Sequence, residues 1–145
     1  MSYEKLSKNY NRTNIETAGK IDLVILCYER TTQLLIQAKG HFKENEIEKK
    51  ARKMQKALDI INELQSCLCM KEGGQIARNL DAIYTYLNKR LLLGDIQQDI
   101  SAFDECVRIL TELKGAWDEI AGRGADPIGA YDKSRLSADH AQIAA

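Results

Sequence analysis

Between Glu72 and Ile120 the chain carries two long runs of apolar residues at three- and four-residue spacing, joined by little more than Gly94 and Asp95. That spacing is the period of an α-helix with one face turned to a core. The sole proline of the 145 residues is Pro127, so nothing upstream breaks a helix by removing a backbone donor. Two further runs come earlier. From Lys20 to Lys39, Ile21, Val24 or Ile25, Tyr28, Leu35 and Ala38 keep the helical period, while Leu23, Leu26, Cys27 and Leu34 widen the stripe. A helix apolar on several sides belongs at the centre of its bundle or beneath another segment. After it, Ile47, Ala51, Met54, Leu58, Ile61 and Leu68 form one line, and Ala57, Ile60, Leu64 and Cys67 a second.

The boundaries are read from local chemistry. Gly40 is a plausible stop for the first helix. Asn45 with Glu48 three residues on resembles a capping box for the second. The third runs from about Gln75 to Leu93, with Ile76, Leu80, Ile83, Leu87 and Leu91 in line and Ala77, Tyr84 and Tyr86 beside them. Gly94-Asp95 should end it, with Asp95 capping the fourth helix and Gln98 at the box position. The fourth carries Ile96, Ile100, Phe103, Val107, Leu110 and Trp117 on one line, with Cys106, Ile109, Leu113 and Ile120 adjacent. The link from Met70 to Gly74 is so short that the second and third helices must pack antiparallel.

These readings give an all-α fold: an elongated antiparallel up-down-up-down four-helix bundle with a short N-terminal helical arm. Residues 1–18 form the arm, where Tyr3, Leu6 and Tyr10 recur at helical spacing before Asn9, Asn11, Thr13 and Asn14 compete for backbone hydrogen bonds. Residues 19–121 form the bundle. Residues 122–145, opened by Gly122, Gly124, Pro127 and Gly129, are expected to be a flexible C-terminal tail.

Composition removes several classes of function. Lys plus Arg equals Asp plus Glu at 21 each, so no excess of positive charge draws the chain to nucleic acid or to an anionic membrane. The basic run Lys49, Lys50, Arg52, Lys53 and Lys56 lies mostly off the apolar lines and reads as a solvated face. No apolar run reaches the roughly 20 residues a spanning helix needs, and the opening residues lack a signal-peptide core. The location expected is the cytosol. Cys27, Cys67, Cys69 and Cys106 include no CxxC pair and read as small hydrophobes, a disulfide or metal site being the alternative. Neither His41 nor His140 follows a Glu by three residues, as a carboxylate-bridged metal bundle requires, and neither sits mid-helix, as phosphotransfer requires. No catalytic residue, metal ligand or cofactor is assigned, and the chain is not expected to be an enzyme.

The ordered residues Glu72-Gly73-Gly74, Ile76-Ala77, Asn79-Leu80, Tyr84, Tyr86 and Arg90-Leu91, followed by Asp99, Leu113 and Ala116-Trp117, resemble the flagellin export chaperone family, FliS. Asp59 to Leu64 resembles the family's second helix, and Tyr10, Asn14, Thr17 and Ala18 resemble its entry segment, with Ile15 shifted in register. The resemblance covers roughly Tyr10 to Ile120. Where the family usually has Ser-Pro, this chain has Gly19-Lys20, which removes a good cap and a preorganised first-turn proline. Where the family usually has Tyr-Asp-Gly, it has Tyr28-Glu29-Arg30.

The resemblance implies a cytoplasmic helical chaperone that binds the disordered C-terminal segment of flagellin, one to one, hides it from premature polymerisation and delivers it to the flagellar type III export apparatus, with an export-gate component as a further partner. A generic helical adaptor for another protein client or regulator is the alternative. The chain itself is expected to be mainly monomeric, with weak dimerisation through the same groove. The client-binding residues proposed on this basis are Tyr10, Asn14, Ile76, Asn79, Leu80, Ile83, Tyr84 and Leu87, with the arm able to cover the groove when no client is bound. Tyr84 and Tyr86 differ by about 200° around a helix, so one of them should face a groove or solvent.

Overall fold

Ile21, Leu23, Val24, Ile25, Cys27, Tyr28, Leu34, Leu35 and Ala38 are all buried on a single helix, which therefore needs neighbours around most of its circumference. The computed structural model, which describes residues 19–122 and 129–131, supplies them. Four helices follow one another: α1 Lys20–Lys43, α2 Ile47–Ser66, α3 Met70–Ile96 and α4 Ser101–Gly122. α1 packs between α2 and α4, and α3 closes the far side against the same two helices. Among the described residues there is no strand, only an isolated antiparallel bridge between Leu68 and Tyr131.

Side-chain pairs fix the directions. Lys39 Nζ donates to Asp104 Oδ1 at 2.6 Å at one end of α1, and Trp117 Nε1 donates to the Tyr28 hydroxyl at 2.9 Å at the other, so α1 and α4 run antiparallel. Gln65 Nε2 donates to Asp81 Oδ1 at 2.9 Å while Lys50 pairs with Asp95, so α2 and α3 do the same. Up-down-up-down packing follows from these pairs and the short turns. The N-terminal arm lies outside the described residues.

Several boundaries differ from those read in the sequence. Gly40 does not stop α1, which continues through it to Lys43. α1 starts after Gly19, which makes no side-chain capping hydrogen bond, as the missing Ser-Pro pair implies. Asn45 does not cap α2: it takes a positive φ of 57° in the turn, a conformation asparagine tolerates, and Glu46 precedes the helix without a side-chain cap. Gly94 does not end α3. It is buried within the helix where Ala102 crosses, so that α3 and α4 approach through a glycine–alanine contact. Asp95 and Gln98 do not form a capping box. Asp95 is still helical and pairs with Lys50, and Gln98 occupies the turn with φ 54°. The cap-like acceptor for α4 is Asp99, whose Oδ1 takes the Ser101 backbone N–H at 3.0 Å and hydroxyl at 2.6 Å. The Met70–Gly74 link is itself mostly helical, with its break confined to Gly74 at φ 52°, ψ −130°.

At one end of the bundle a row of aromatic groups runs through the core. Trp117 bonds Tyr28, the Tyr28 and Tyr84 hydroxyls lie 2.5 Å apart, and the Tyr84 hydroxyl bonds that of Tyr131. All four residues are buried. The row joins α4, α1 and α3 to a piece of the segment assigned to a flexible tail. That expectation does not hold for Gly129–Tyr131: Ala130 and Tyr131 are buried, the Ala130 carbonyl accepts the Cys69 N–H at 2.6 Å, and the Tyr131 ring packs 5.8 Å from that of Trp117. The other polar residue of the core, Thr31, turns its hydroxyl back to the Cys27 carbonyl at 2.7 Å. None of the four cysteines is in a disulfide, and burial pushes the Cys27 and Cys106 thiols up to about 12, which keeps them protonated and hydrophobe-like.

Two outcomes test this packing. A Cβ added at Gly94 would lie 2.3 Å from that of Ala102. Gly94→Ala should therefore cost about 1–3 kcal/mol in urea unfolding, whereas Gly115→Ala on α4, where nothing lies within 4 Å, should stabilise or leave unfolding unchanged. Burial pushes the Tyr28 phenol up to about 12 and those of Tyr84 and Tyr131 well above their ordinary value. Because the raised groups hold protons that the unfolded chain releases near pH 10, their contribution is intact below about pH 10 and is lost as pH rises toward the folded values. Unfolding free energy measured at about pH 9 and about pH 11 should fall in the parent chain and fall less in Tyr131→Phe.

Candidate functional site

α3 presents two faces. Gly73, Ala77, Leu80, Tyr84, Leu87 and Leu91 are buried against the bundle. Ile76, Asn79, Ile83, Tyr86 and Arg90 follow three- and four-residue steps on another side and remain partly or fully accessible, with Ile76 and Tyr86 each 44 % exposed. A helix whose inner line already fills the core has no folding reason to keep isoleucines on an outer line.

The outer line lies on the α4 side. The Tyr86 hydroxyl donates to Glu105 Oε1 at 2.6 Å, and Arg90 Nε donates to Glu105 Oε2 at 2.5 Å. Arg90 also reaches Asp99 Oδ2 from both terminal nitrogens at 3.3 Å. Antiparallel counting from the Tyr86–Glu105 pair puts Ile83 level with Arg108, Asn79 with Glu112 and Ile76 with Gly115, so Ile109, Leu113 and Ala116 each lie one residue beyond those levels. Ile83, Ile109, Leu113 and Ile120 pack on the core while staying half-buried. By this register the half-buried Ile83, Ile109, Leu113 and Ile120 run along the α3–α4 seam, a candidate cleft that ends at the Tyr86–Arg90–Asp99–Glu105 network.

That network is polar and half-buried, with Tyr86 its exposed member. The hydrogen bonds from Tyr86 and Arg90 lower the Glu105 carboxyl below its ordinary value, and those from Ser101 and Arg90 lower Asp99. Accepting from Tyr86, Glu105 in turn raises that phenol. Both carboxylates are charged at neutral pH and serve to hold the α3–α4 hairpin in register. Beyond Ile76, Asn79 accepts from Gln75 Nε2 at 2.7 Å on its own helix and is otherwise exposed.

The structure divides the eight site residues named from sequence. Tyr10 and Asn14 lie outside the described residues. Ile76, Asn79 and Ile83 line the cleft. Leu80, Tyr84 and Leu87 point inward, at 5 %, 0 % and 0 % exposure, and belong to the core of the free protein. An i,i+4 step such as Ile76 to Leu80 or Ile83 to Leu87 advances only about 40°, so the periodicity placed these residues on one line and could not say where the bundle would divide it. Tyr86 and, on the second apolar line of the fourth helix, Ile109, Leu113 and Ile120 were not among the eight; Tyr86 is exposed and the other three stay half-buried against the core. Tyr86 is the outward member of the Tyr84–Tyr86 pair, as their spacing requires.

A second group of exposed apolar residues sits at the other end of the bundle, comprising Ile47 on α2 and Leu92, Leu93 and Ile96 on α3, with Ile96 77 % exposed. The basic residues of α2 are largely engaged or solvated: Lys49 bonds Glu46 at 2.9 Å, and Lys50 pairs with Asp95 and lies 5.4 Å over the Phe42 ring. His41 is a half-buried residue of α1 whose Nδ1 lies 3.1 Å from Glu46 Oε1. Among the described residues no group of three or more His, Cys, Asp or Glu side chains could hold a metal ion, and no helix is long and apolar enough to cross a membrane.

The family described as flagellar protein FliS matches residues 2–124. The flagellar secretion chaperone FliS of Vibrio cholerae is 33 % identical over 119 residues, covering 82 % of this chain and 85 % of that protein. The flagellar secretion chaperone FliSB of Pseudomonas aeruginosa is 33 % identical over 121 residues, 81 % of this chain and 96 % of the relative. The Salmonella typhimurium FliS chaperone is 27 % identical over 133 residues, 88 % and 95 % of the two chains. Matched by that family over nearly its whole length and similar to flagellar secretion chaperones of several bacteria, this helical chain belongs to the FliS family, a family of chaperones and not of enzymes.

Proposed function

We propose that this chain binds the disordered C-terminal segment of flagellin in the cytosol, one to one, keeps it from polymerising early and delivers it to the flagellar type III export apparatus. The observation that carries this reading is the outer line of α3, where Ile76 and Asn79 are exposed and Ile83, like Ile109, Leu113 and Ile120 of α4, is only half-buried among the described residues. An amphipathic segment that is unfolded alone can form a helix as its apolar face enters such a cleft. Coupled folding loses several kcal/mol to ordering, which lets a complex be specific and still separable for export. No cofactor or nucleotide is needed, since the apparatus that takes the client away can drive release. Tyr10 and Asn14 complete the proposed client-binding set from the arm, and the chain acts as a monomer whose exposed cleft can support weak self-association.

Calorimetry with the C-terminal segment of flagellin tests the reading. One-to-one binding with a large negative heat-capacity change is expected. Ile76→Asp should weaken it by at least about tenfold, since a charge placed in an apolar contact loses its solvation, while thermal unfolding stays close to that of the parent. Leu87→Ala should instead cost about 2–5 kcal/mol of stability, because it leaves a cavity in the core. Binding that ignores Ile76→Asp, or no binding by the parent chain, overturns the proposal.

A further inference from the structure

Three residues after the bundle are seated with more contacts than a loose tail would make. The Ala130 carbonyl accepts the Cys69 N–H at 2.6 Å, Tyr131 forms the antiparallel bridge with Leu68, and its hydroxyl bonds Tyr84. Their seat is the Glu72-Gly73-Gly74 motif. A Cβ added at Gly73 would come within 2.9 Å of the Ala130 Cα and 2.7 Å of the Ala77 Cβ, so only glycine admits the strap this closely. Glu72 lines the other side, with a Cβ added at Gly129 falling 3.6 Å from its own. Gly129 has φ +61° and Gly74 φ +52°, so both the strap and its seat use backbone conformations that other residues resist.

The position of this seat matters for α3. The helix begins at Met70, its N-cap position Cys69 makes no side-chain capping bond, and it is interrupted at Gly74, the fifth residue of the helix. A helix start with no cap and a break in its first turns opens more readily than the helix interior. The strap supplies what is missing: an acceptor from Ala130 paired with the Cys69 N–H, apolar cover over Gly73 and Ala77, and a buried aromatic ring whose hydroxyl joins Tyr84. Immediately beyond the break comes Ile76, the first residue of the outer line.

We propose that Gly129–Tyr131 is an intramolecular latch that holds the amino-terminal turns of α3 in place, and that its docking is positively coupled to occupancy of the α3–α4 cleft. The coupling half rests on the function proposed above. Latch and client both favour the same ordered state of Ile76 to Ile83, so each raises the affinity of the other. The latch also ties the C-terminal residues to the state of the cleft, since ordering on one side is felt on the other.

The full chain carries its own reporter, because Trp117 is the single tryptophan and packs on Tyr131. Two variants loosen the strap by different means. Tyr131→Ala removes the plug, and Gly129→Val strains the strap backbone while leaving every buried group in place. Tyr131→Phe keeps the ring packing and serves as the docked control. In both loosened variants, with helical circular dichroism retained, Trp117 emission should move to longer wavelength. Amide hydrogen exchange over Gln75 to Ala82 should quicken at least tenfold while exchange in α1 is unchanged. Affinity for the flagellin C-terminal segment should fall at least fivefold, and Tyr131→Phe, which loses only the hydroxyl bond to Tyr84, should fall less than either. Unchanged exchange over Gln75 to Ala82 in both loosened variants overturns the latch whether or not flagellin binds. Quickened exchange with affinity within twofold of the parent overturns the coupling. A parent chain that gives no binding heat sinks the flagellin reading and with it the coupling, and leaves hydrogen exchange to decide the latch.

Discussion

The hydrogen-bonded aromatic row Trp117–Tyr28–Tyr84–Tyr131 is the constraint on which the rest of the structure depends. Buried hydroxyls without partners are costly, and low polarity around them strengthens the bonds they do make. Apolar contacts alone tolerate sliding, because one leucine replaces another at little cost. The row does not: each hydroxyl must find the next, and so α1, α3, α4 and the Gly129–Tyr131 strap are fixed in rotation and in height relative to one another. Away from it, Phe42 and Phe103, 5.9 Å apart, and the Gly94–Ala102 contact close the other end of the bundle.

Once Tyr84 is committed inward, the exposed face of α3 is determined. Leu80, Leu87 and Leu91 turn in with it, Tyr86 turns out, and Ile76, Asn79 and Ile83 lie along the cleft with α4. The Arg90 network with Asp99 and Glu105 then sets how the α3–α4 hairpin closes. The residues through which the chain resembles its family thus divide into two physical roles. Gly73, Tyr84, Arg90, Asp99 and Trp117 build and align the bundle, whereas Ile76 and Asn79 stay accessible on its surface.

Fold class was legible because periodicity is a local property: four apolar runs and almost no linker leave few arrangements. Helix ends were not. Gly40 and Gly94 look like stops, yet the first is exposed on a helix that other residues sustain and the second is chosen for its close approach to Ala102. Asn45 and Asp95 are good capping residues, but one was taken by a left-handed turn and the other by Lys50 across the bundle. The division of the α3 surface was not legible either. Ile76, Asn79 and Ile83 stay accessible, while Leu80, Tyr84 and Leu87 belong to the core, a distinction set by how α3 meets its neighbours and absent from the helix's own pattern. The strap was missed because Gly129-Ala130-Tyr131 has no period, and only the oddity of paired glycines at Gly73 and Gly74 hinted at a close neighbour.

The central claim is that α3 spends one face on folding and keeps the other for a client. Isoleucine methyl spectra of the full chain, recorded with and without the C-terminal segment of flagellin, test it most directly. The account predicts that Ile76, Ile83, Ile109 and Ile120 shift or broaden while Ile60 and Ile61, sealed in the core, hold their positions. Changes confined to Ile36, Ile47 and Ile96, or no change at saturating segment, would contradict it.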